Sequence, residues 1–173
     1  MSDNERIFLG LGSNLENRYK NLILGINLLN DHPHIWVTNK SYIYQTPPMY
    51  YKKQNDYFNM VIEIETNLNP LQLLHNIKEI EINVGRNTQD KKNMPRKLDI
   101  DILAIGDLKI NTKVLNVPHP GISERIFVLK PWNDIAPDFL LPSNNKNIAS
   151  LLNDIDINAD IHMVLITDNK DLI

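Results

Sequence analysis

From Asp56 to Glu65 the chain alternates in polarity: Phe58, Met60, Ile62 and Ile64 fall on one side, Tyr57, Asn59, Val61 and Glu63 on the other. A period of two marks an extended strand with one face turned to a core. A sheet of such strands needs a second layer over its apolar face, and the chain supplies it. Asn69 suits a helix cap, Pro70 a first helical position and Gly85 the site just past the end. Between them Leu73, Ile77, Ile80 and Val84 recur at helical spacing. A second helix is expected from about Arg18 to Asn30, with Leu22, Ile26 and Leu29 on one face; His32-Pro33-His34 ends it.

Three further strands are expected. Ile7-Phe8-Leu9-Gly10-Leu11 is a short apolar run that stops at Gly12-Ser13-Asn14. Ile35 to Gln45, rich in β-branched and aromatic residues, reads as one strand. Lys97 to Ile105 sets Leu98, Ile100 and Ile102 on one face and Asp99 and Asp101 on the other. Beyond it, Pro118, Pro120, Pro131 and Pro137 punctuate short helices and turns; Ile148 to Leu152 reads as a last helix and Ile161 to Ile166 as a short strand. The order strand, helix, two strands, helix, strand is the split βαβ pattern. It predicts an α+β, ferredoxin-like sandwich: a mostly antiparallel sheet with helices packed against one face. A length of 173 residues predicts a single domain.

Composition removes several functions. The 18 Lys+Arg against 21 Asp+Glu give a net charge of -3, the wrong sign for a partner of nucleic-acid backbones. With 0 Cys there are no disulfides, thiolate metal sites or Cys nucleophile. No apolar stretch approaches the ~20 residues of a membrane span, and the polar start, Met1 to Arg6, lacks a secretory core. A cytoplasmic setting is the expectation.

Asp99-Ile100-Asp101 is the sharpest chemical signal. Residues two apart on a strand share a face, about 6–7 Å apart at the backbone. Such a pair can hold Mg²⁺, which takes oxygen ligands and substrate phosphates; it equally fits an edge strand with an acidic solvent face. Two of the five arginines, Arg86 and Arg96, bracket the polar loop just before it. Guanidinium suits bidentate phosphate contacts, although a structural ion pair is the other reading of Arg96. The loop between them, with Thr88, Lys91, Lys92 and Asn93, is a candidate lid. Thr46-Pro47-Pro48-Met49 sets a rigid extended wall, and Tyr57 with Asn59 can stack on and hydrogen-bond a flat heterocycle. His119, between two prolines, is a candidate phosphate donor.

These segments occur together and in order: Gly12-Ser13-Asn14, Thr46-Pro47-Pro48, Asp56-Tyr57-Phe58-Asn59, Gly85-Arg86, Pro95-Arg96-Lys97-Leu98-Asp99-Ile100-Asp101-Ile102, Val117-Pro118-His119 and Arg125-Ile126-Phe127. The set resembles the hydroxymethyl-dihydropterin pyrophosphokinase family of folate biosynthesis, over about Ile7 to Pro142. The tail from about residue 155 to 173 has no counterpart. The resemblance implies transfer of pyrophosphate from ATP to the hydroxymethyl oxygen of the pterin, with release of AMP. It implies two Mg²⁺ ions on Asp99 and Asp101 and phosphate contacts from Arg86 and Arg96. Lys78, Glu81, Ile102, Asn116, His119 and Arg125 fall on the ATP side. Tyr57 and Phe127 would sandwich the pterin, while Asn59, Thr46, Pro47, Pro48 and Met49 would read its amide edge, with Asp99 beside it. The protein would act as a monomer on small molecules.

Most departures fall in the candidate lid. Thr88 stands where familiar members carry a second Arg, and Lys92-Asn93-Met94 where they often show Arg-Trp-Gly. Asn116 replaces a common Thr. Another metal-dependent phosphoryl or nucleotidyl transferase, or a catalytically silent pterin-binding module, are the alternatives.

Overall fold

Helix punctuation and strand alternation produce the expected elements almost in place. The computed structural model describes residues 5–49, 54–86 and 94–155 and the backbone of 164–167. Strand β1 (Ile7–Ser13) leads into helix α1 (Arg18–Asn30), whose cap Asn17 accepts a bond from the Lys20 amide. Strands β2 (Ile35–Lys40), β3 (Ile43–Thr46) and β4 (Tyr57–Thr66) precede helix α2 (Pro70–Val84). At its start Asn69 and Gln72 cap each other reciprocally, and at its end Gly85 takes a φ of 111°, open to glycine at little cost. Strand β5 (Asp99–Ile105) follows, then the β6 (Ile110–Asn111) and β7 (Asn116–Val117) pair, helix α3 (Ile126–Ile135), the β8 (Leu140–Leu141) and β9 (Lys146–Asn147) pair, helix α4 (Ile148–Asp154) and strand β10 (Val164–Thr167).

The main sheet runs β10-β3-β4-β1-β5, every pair antiparallel, with β2 also on β4. The segment 35–45 is therefore two strands, not the single one expected. β2 pairs with the far half of β4 and β3 with its near half. The break falls at Ser41, whose amide and hydroxyl bond the carbonyl and amide of Val61 across the sheet. A buried hydroxyl thus takes over a ladder bond where the strand bends.

One face of the sheet buries Leu9, Leu11, Met60, Ile62, Ile100 and Ile102 under α1 and α2. The expectation of helices on one face alone is corrected by the opposite face. Phe8, Val61, Leu103 and Ala104 pack there against Trp132 and Leu129 of α3 and Leu151 of α4. Phe8 meets Trp132 and Phe139 with ring centroids at 5.0 and 4.8 Å. The two layers share the sheet but cover different lengths of it; α3 and α4 leave the end bearing Gly12, Asn59 and Asp99 open, and the cleft lies there. The candidate lid residues Thr88 to Asn93 lie outside the described residues.

Candidate active site

The floor of the cleft is bare backbone. Gly10 and Gly12 share one face of β1; a methyl on Gly10 would meet Leu103 Cδ2 at 3.3 Å, and one on Gly12 would meet Asn59 Oδ1 at 3.0 Å. Above this floor is a cavity of about 630 Å³. Register fixes its sides, because Gly12 stands between Asn59 of β4 and Asp99 of β5.

At one end, Tyr57 and Phe127 present rings and Asn59 an amide, with Thr46, Pro47 and Met49 along the rim. Asn59 Nδ2 donates to Thr46 Oγ1 at 2.7 Å, both residues being buried. That bond fixes the amide and leaves Asn59 Oδ1 as an acceptor toward Gly12. Burial and the nearby Asp99 carboxylate push the Tyr57 phenol up, so it stays a neutral aromatic surface.

At the other end the charges gather. Asp99 Oδ1 accepts from Arg96 Nη1 at 2.8 Å and Arg86 Nη1 at 3.2 Å. Asp101, 43% exposed to the cleft, accepts no hydrogen bond among the described residues; His119 Nε2 lies 3.9 Å from its Oδ2. Burial, then the Asp99 charge, raises the Asp101 carboxyl, against His119, Lys78 and Arg125. His119 is aimed by its backbone: its amide donates to Leu103 O and its Nδ1 to Pro120 O, each at 2.8 Å, after a cis Val117–Pro118 bond. Arg96 Nε is buried without a partner among the described residues.

Thirteen of the sequence-predicted residues therefore line one cavity: Thr46, Pro47, Met49, Tyr57, Asn59, Lys78, Arg86, Arg96, Asp99, Asp101, His119, Arg125 and Phe127. Four do not. Pro48 is off the lining. The Ile102 side chain is buried in the α1/α2 layer; its backbone, the part implied to meet the adenine, belongs to β5, the last strand of the sheet. Asn116 faces a neighbouring depression of about 500 Å³ with Lys109 and Pro118, which shares Pro120 with the main cavity. Glu81, expected on the nucleotide side, is 0% exposed and cannot touch a ligand. Its carboxylate accepts from Lys78 Nζ at 3.0 Å, from the Ile100 amide at 2.7 Å and from Arg86 Nη1. Burial raises it despite those donors. Glu81 is the anchor beneath the cations, not a wall of the cleft. Among the lining residues that had gone unread are Gly10, Gly12 and Gln54. The spacing of Gly10 and Gly12 on one strand face was a legible signal; Gln54 sits in a segment without periodicity and carried none.

The carboxylate pair fits a divalent cation. Asp99 and Asp101 project from the same face of β5, and Asp101 accepts no hydrogen bond among the described residues. The described residues offer this pair and no three-ligand cage, the arrangement Mg²⁺ accepts when phosphates and water complete its shell.

Fold and cleft define the class: an α+β sandwich whose open sheet end sets a carboxylate pair among cations at one side and two aromatic rings at the other. The family model for 7,8-dihydro-6-hydroxymethylpterin-pyrophosphokinase matches residues 8–137, and the chain belongs to that family. It is 41% identical to the 2-amino-4-hydroxy-6-hydroxymethyldihydropteridine pyrophosphokinase of Bacillus subtilis over 133 residues, 77% of this chain and 79% of that one. It is 40% identical to the folic acid synthesis protein fol1 of Pneumocystis carinii over 163 residues, 94% of this chain but 22% of that protein. The chain thus spans about a fifth of the length of that relative and of its Dictyostelium discoideum counterpart, where the share is 21%. The fold is also that of the Plasmodium falciparum HPPK-DHPS wild type crystal structure: TM-score 0.70, 19% identity, covering 88% of this chain and 45% of that one.

Proposed function

We propose that this chain transfers pyrophosphate from ATP to the hydroxymethyl oxygen of 6-hydroxymethyl-7,8-dihydropterin, releasing AMP. The observation that carries the reading is the placement, in one cavity, of the aromatic and amide end (Tyr57, Phe127, Asn59) and the carboxylate and cation end (Asp99, Asp101, Arg86, Arg96).

The pterin lies on Gly10 and Gly12, between Tyr57 and Phe127. Offset stacking of that kind adds ~1 kcal/mol beyond burial. Asn59 Oδ1 accepts from an N–H of the ring, and a ring without that donor leaves a buried acceptor unpaired, a penalty of about 1–3 kcal/mol. The triphosphate lies along β5. Asp99 and Asp101 would hold two Mg²⁺ ions, which would supply charge neutralisation along the triphosphate. Arg86 and Arg96, both tied to Asp99, present guanidinium N–H groups to the transferred phosphates, while His119 and Arg125 face the nucleotide side. Attack of the hydroxymethyl oxygen on the β-phosphorus breaks its bond to the oxygen bridging the α-phosphorus; AMP carries that oxygen away, and the hydroxyl proton is released to water. The residues act by position and charge, as phosphoryl transfer demands.

The whole of 1–173 is proposed to form one such domain, acting as a cytoplasmic monomer. No helix among the described residues is long and apolar enough to cross a membrane.

Purified protein with ATP, Mg²⁺ and the hydroxymethyl-dihydropterin should yield AMP and the pterin diphosphate. ADP as the nucleotide product, or pterin binding with no AMP formed, overturns the reading.

A further inference from the structure

The segment Gly12-Ser13-Asn14 ends β1, and Asn14 lies outside both the aromatic and the charged half of the cleft. It is nonetheless fully buried, and its backbone N–H and both polar atoms of its side chain are engaged. Its amide N–H donates to the Arg96 carbonyl at 3.0 Å, and its Oδ1 accepts from the Arg96 amide at 2.7 Å. Its Nδ2 donates to Gln54 Oε1 at 2.9 Å and to the Asn55 carbonyl at 3.4 Å.

Register explains the pattern. Within β1, Gly12 pairs with Asn59 on one side and Asp99 on the other, and Ser13 with Phe58. One residue later the regular pairing has ended, and one backbone bond, from the Asn14 amide to the Arg96 carbonyl, remains on the β5 side. The Asn14 side chain carries the connection on: toward Arg96, which holds Asp99, and toward the 54–55 segment, which leads into Tyr57 and Asn59. The junction is itself fastened, since Asn21 of α1 donates to Ser13 Oγ at 3.2 Å and to the Leu15 carbonyl at 2.9 Å.

We propose that Asn14 is a positioning residue that sets the distance between the pterin half and the phosphate half of the cleft. The inference rests on the transfer reaction proposed above. Two bound reactants react only when their atoms meet at about 3–3.5 Å, and a misplacement of ~1 Å can cost ~10²-fold in rate. A residue that holds the halves in mutual register acts on that term and leaves each binding site intact.

The test separates rate from binding. Single-turnover AMP formation with enzyme in excess gives the rate, and calorimetry gives the affinities for pterin and for a non-hydrolysable ATP analogue with Mg²⁺. For Asn14→Ala the expected result is a rate lower by ~10²-fold, with each affinity within ~3-fold of wild type. Asn14→Asp keeps the acceptor for the Arg96 amide but loses the donor to Gln54; it should fall between Asn14→Ala and wild type. Should Asn14→Ala fail to fold by circular dichroism, Asn14→Asp decides. A folded variant with a wild-type rate, or a rate loss matched by an equal loss of affinity, overturns the proposal. Wild-type protein that forms no AMP overturns the parent reading and this one with it.

Discussion

Glu81 Oε1 accepts a hydrogen bond from the Ile100 amide at 2.7 Å, so the C-terminal turn of α2 is fastened to β5 midway between Asp99 and Asp101. The same carboxylate holds Lys78 and Arg86. One buried anion therefore places two cations and the strand that carries the acidic pair.

Removing that anion should be costly. Glu81→Ala leaves the Ile100 amide without an acceptor, takes the ion pair from Lys78 and leaves Arg86 with Asp99 alone; breaking a buried pair costs roughly 3–5 kcal/mol. Glu81→Gln keeps an acceptor for Ile100 and should cost less than half as much. Urea denaturation of both variants checks this; equal stabilities would show that the amide acceptor is unimportant.

Asp101 should trade stability for binding. Its folded carboxyl is raised by burial and by Asp99, so its charged form opposes folding. Asp101→Asn removes the charge and should raise the melting temperature of the protein measured without divalent cation. Mg²⁺-dependent activity should fall by about 10²-fold or more, since metal charge stabilisation is worth several kcal/mol. A lower melting temperature with activity retained contradicts the assignment.

The alkaline limb of stability should report on Tyr44. Its hydroxyl donates to Asp134 Oδ2 at 2.9 Å and Oδ1 at 3.1 Å, tying β3 to α3. Burial first, and then the Asp134 carboxylate, push its ionisation well above the usual phenol range. Because the folded value is the raised one, the contribution is complete below about pH 10. It is lost as pH rises toward the folded value, where the unfolded chain has already released the proton. Tyr44→Phe should cost about 1–3 kcal/mol at neutral pH, the range for a bond to a charged group, and its denaturation midpoints should fall less steeply with pH between about 9 and 11. Parallel curves for the two proteins would refute this.

Gly12→Ala should injure pterin binding alone. The added methyl meets Asn59 Oδ1 at 3.0 Å, and Thr46 prevents the amide from swinging away. Pterin affinity should drop by roughly tenfold, equivalent to about 1.4 kcal/mol, while nucleotide affinity is unchanged. Calorimetry with each ligand measures both; a matched loss for the two would point to distortion of β1 instead.

What could be read from residues alone followed local rules. α1 ends where His32-Pro33-His34 requires, and α2 runs between its Asn69 cap and Gly85. The acidic pair shares a face because strand geometry requires it. The missed features depend on neighbours distant in sequence. Ser41 interrupts a run of strand-forming residues because Val61 stands opposite it. α3 runs through Pro131, in a stretch expected only as short helices and turns, because its apolar face finds Phe8 and Val61 on the sheet. Glu81 carries a charge on an otherwise amphipathic helix, which marks it for the surface until Ile100 and Arg86 arrive from β5 and the segment before it. Asn116 points to a neighbouring depression for the same reason: a two-residue β pairing has too little pattern to orient it.

β4 is bonded to β1, β2 and β3 together, and along it Asn59 alternates with Met60. A slip of one residue would turn Asn59 into the apolar layer and push Met60 into the cleft. Misfolding of this strand and loss of ligand recognition are therefore a single event, so natural selection on either quality polices the other.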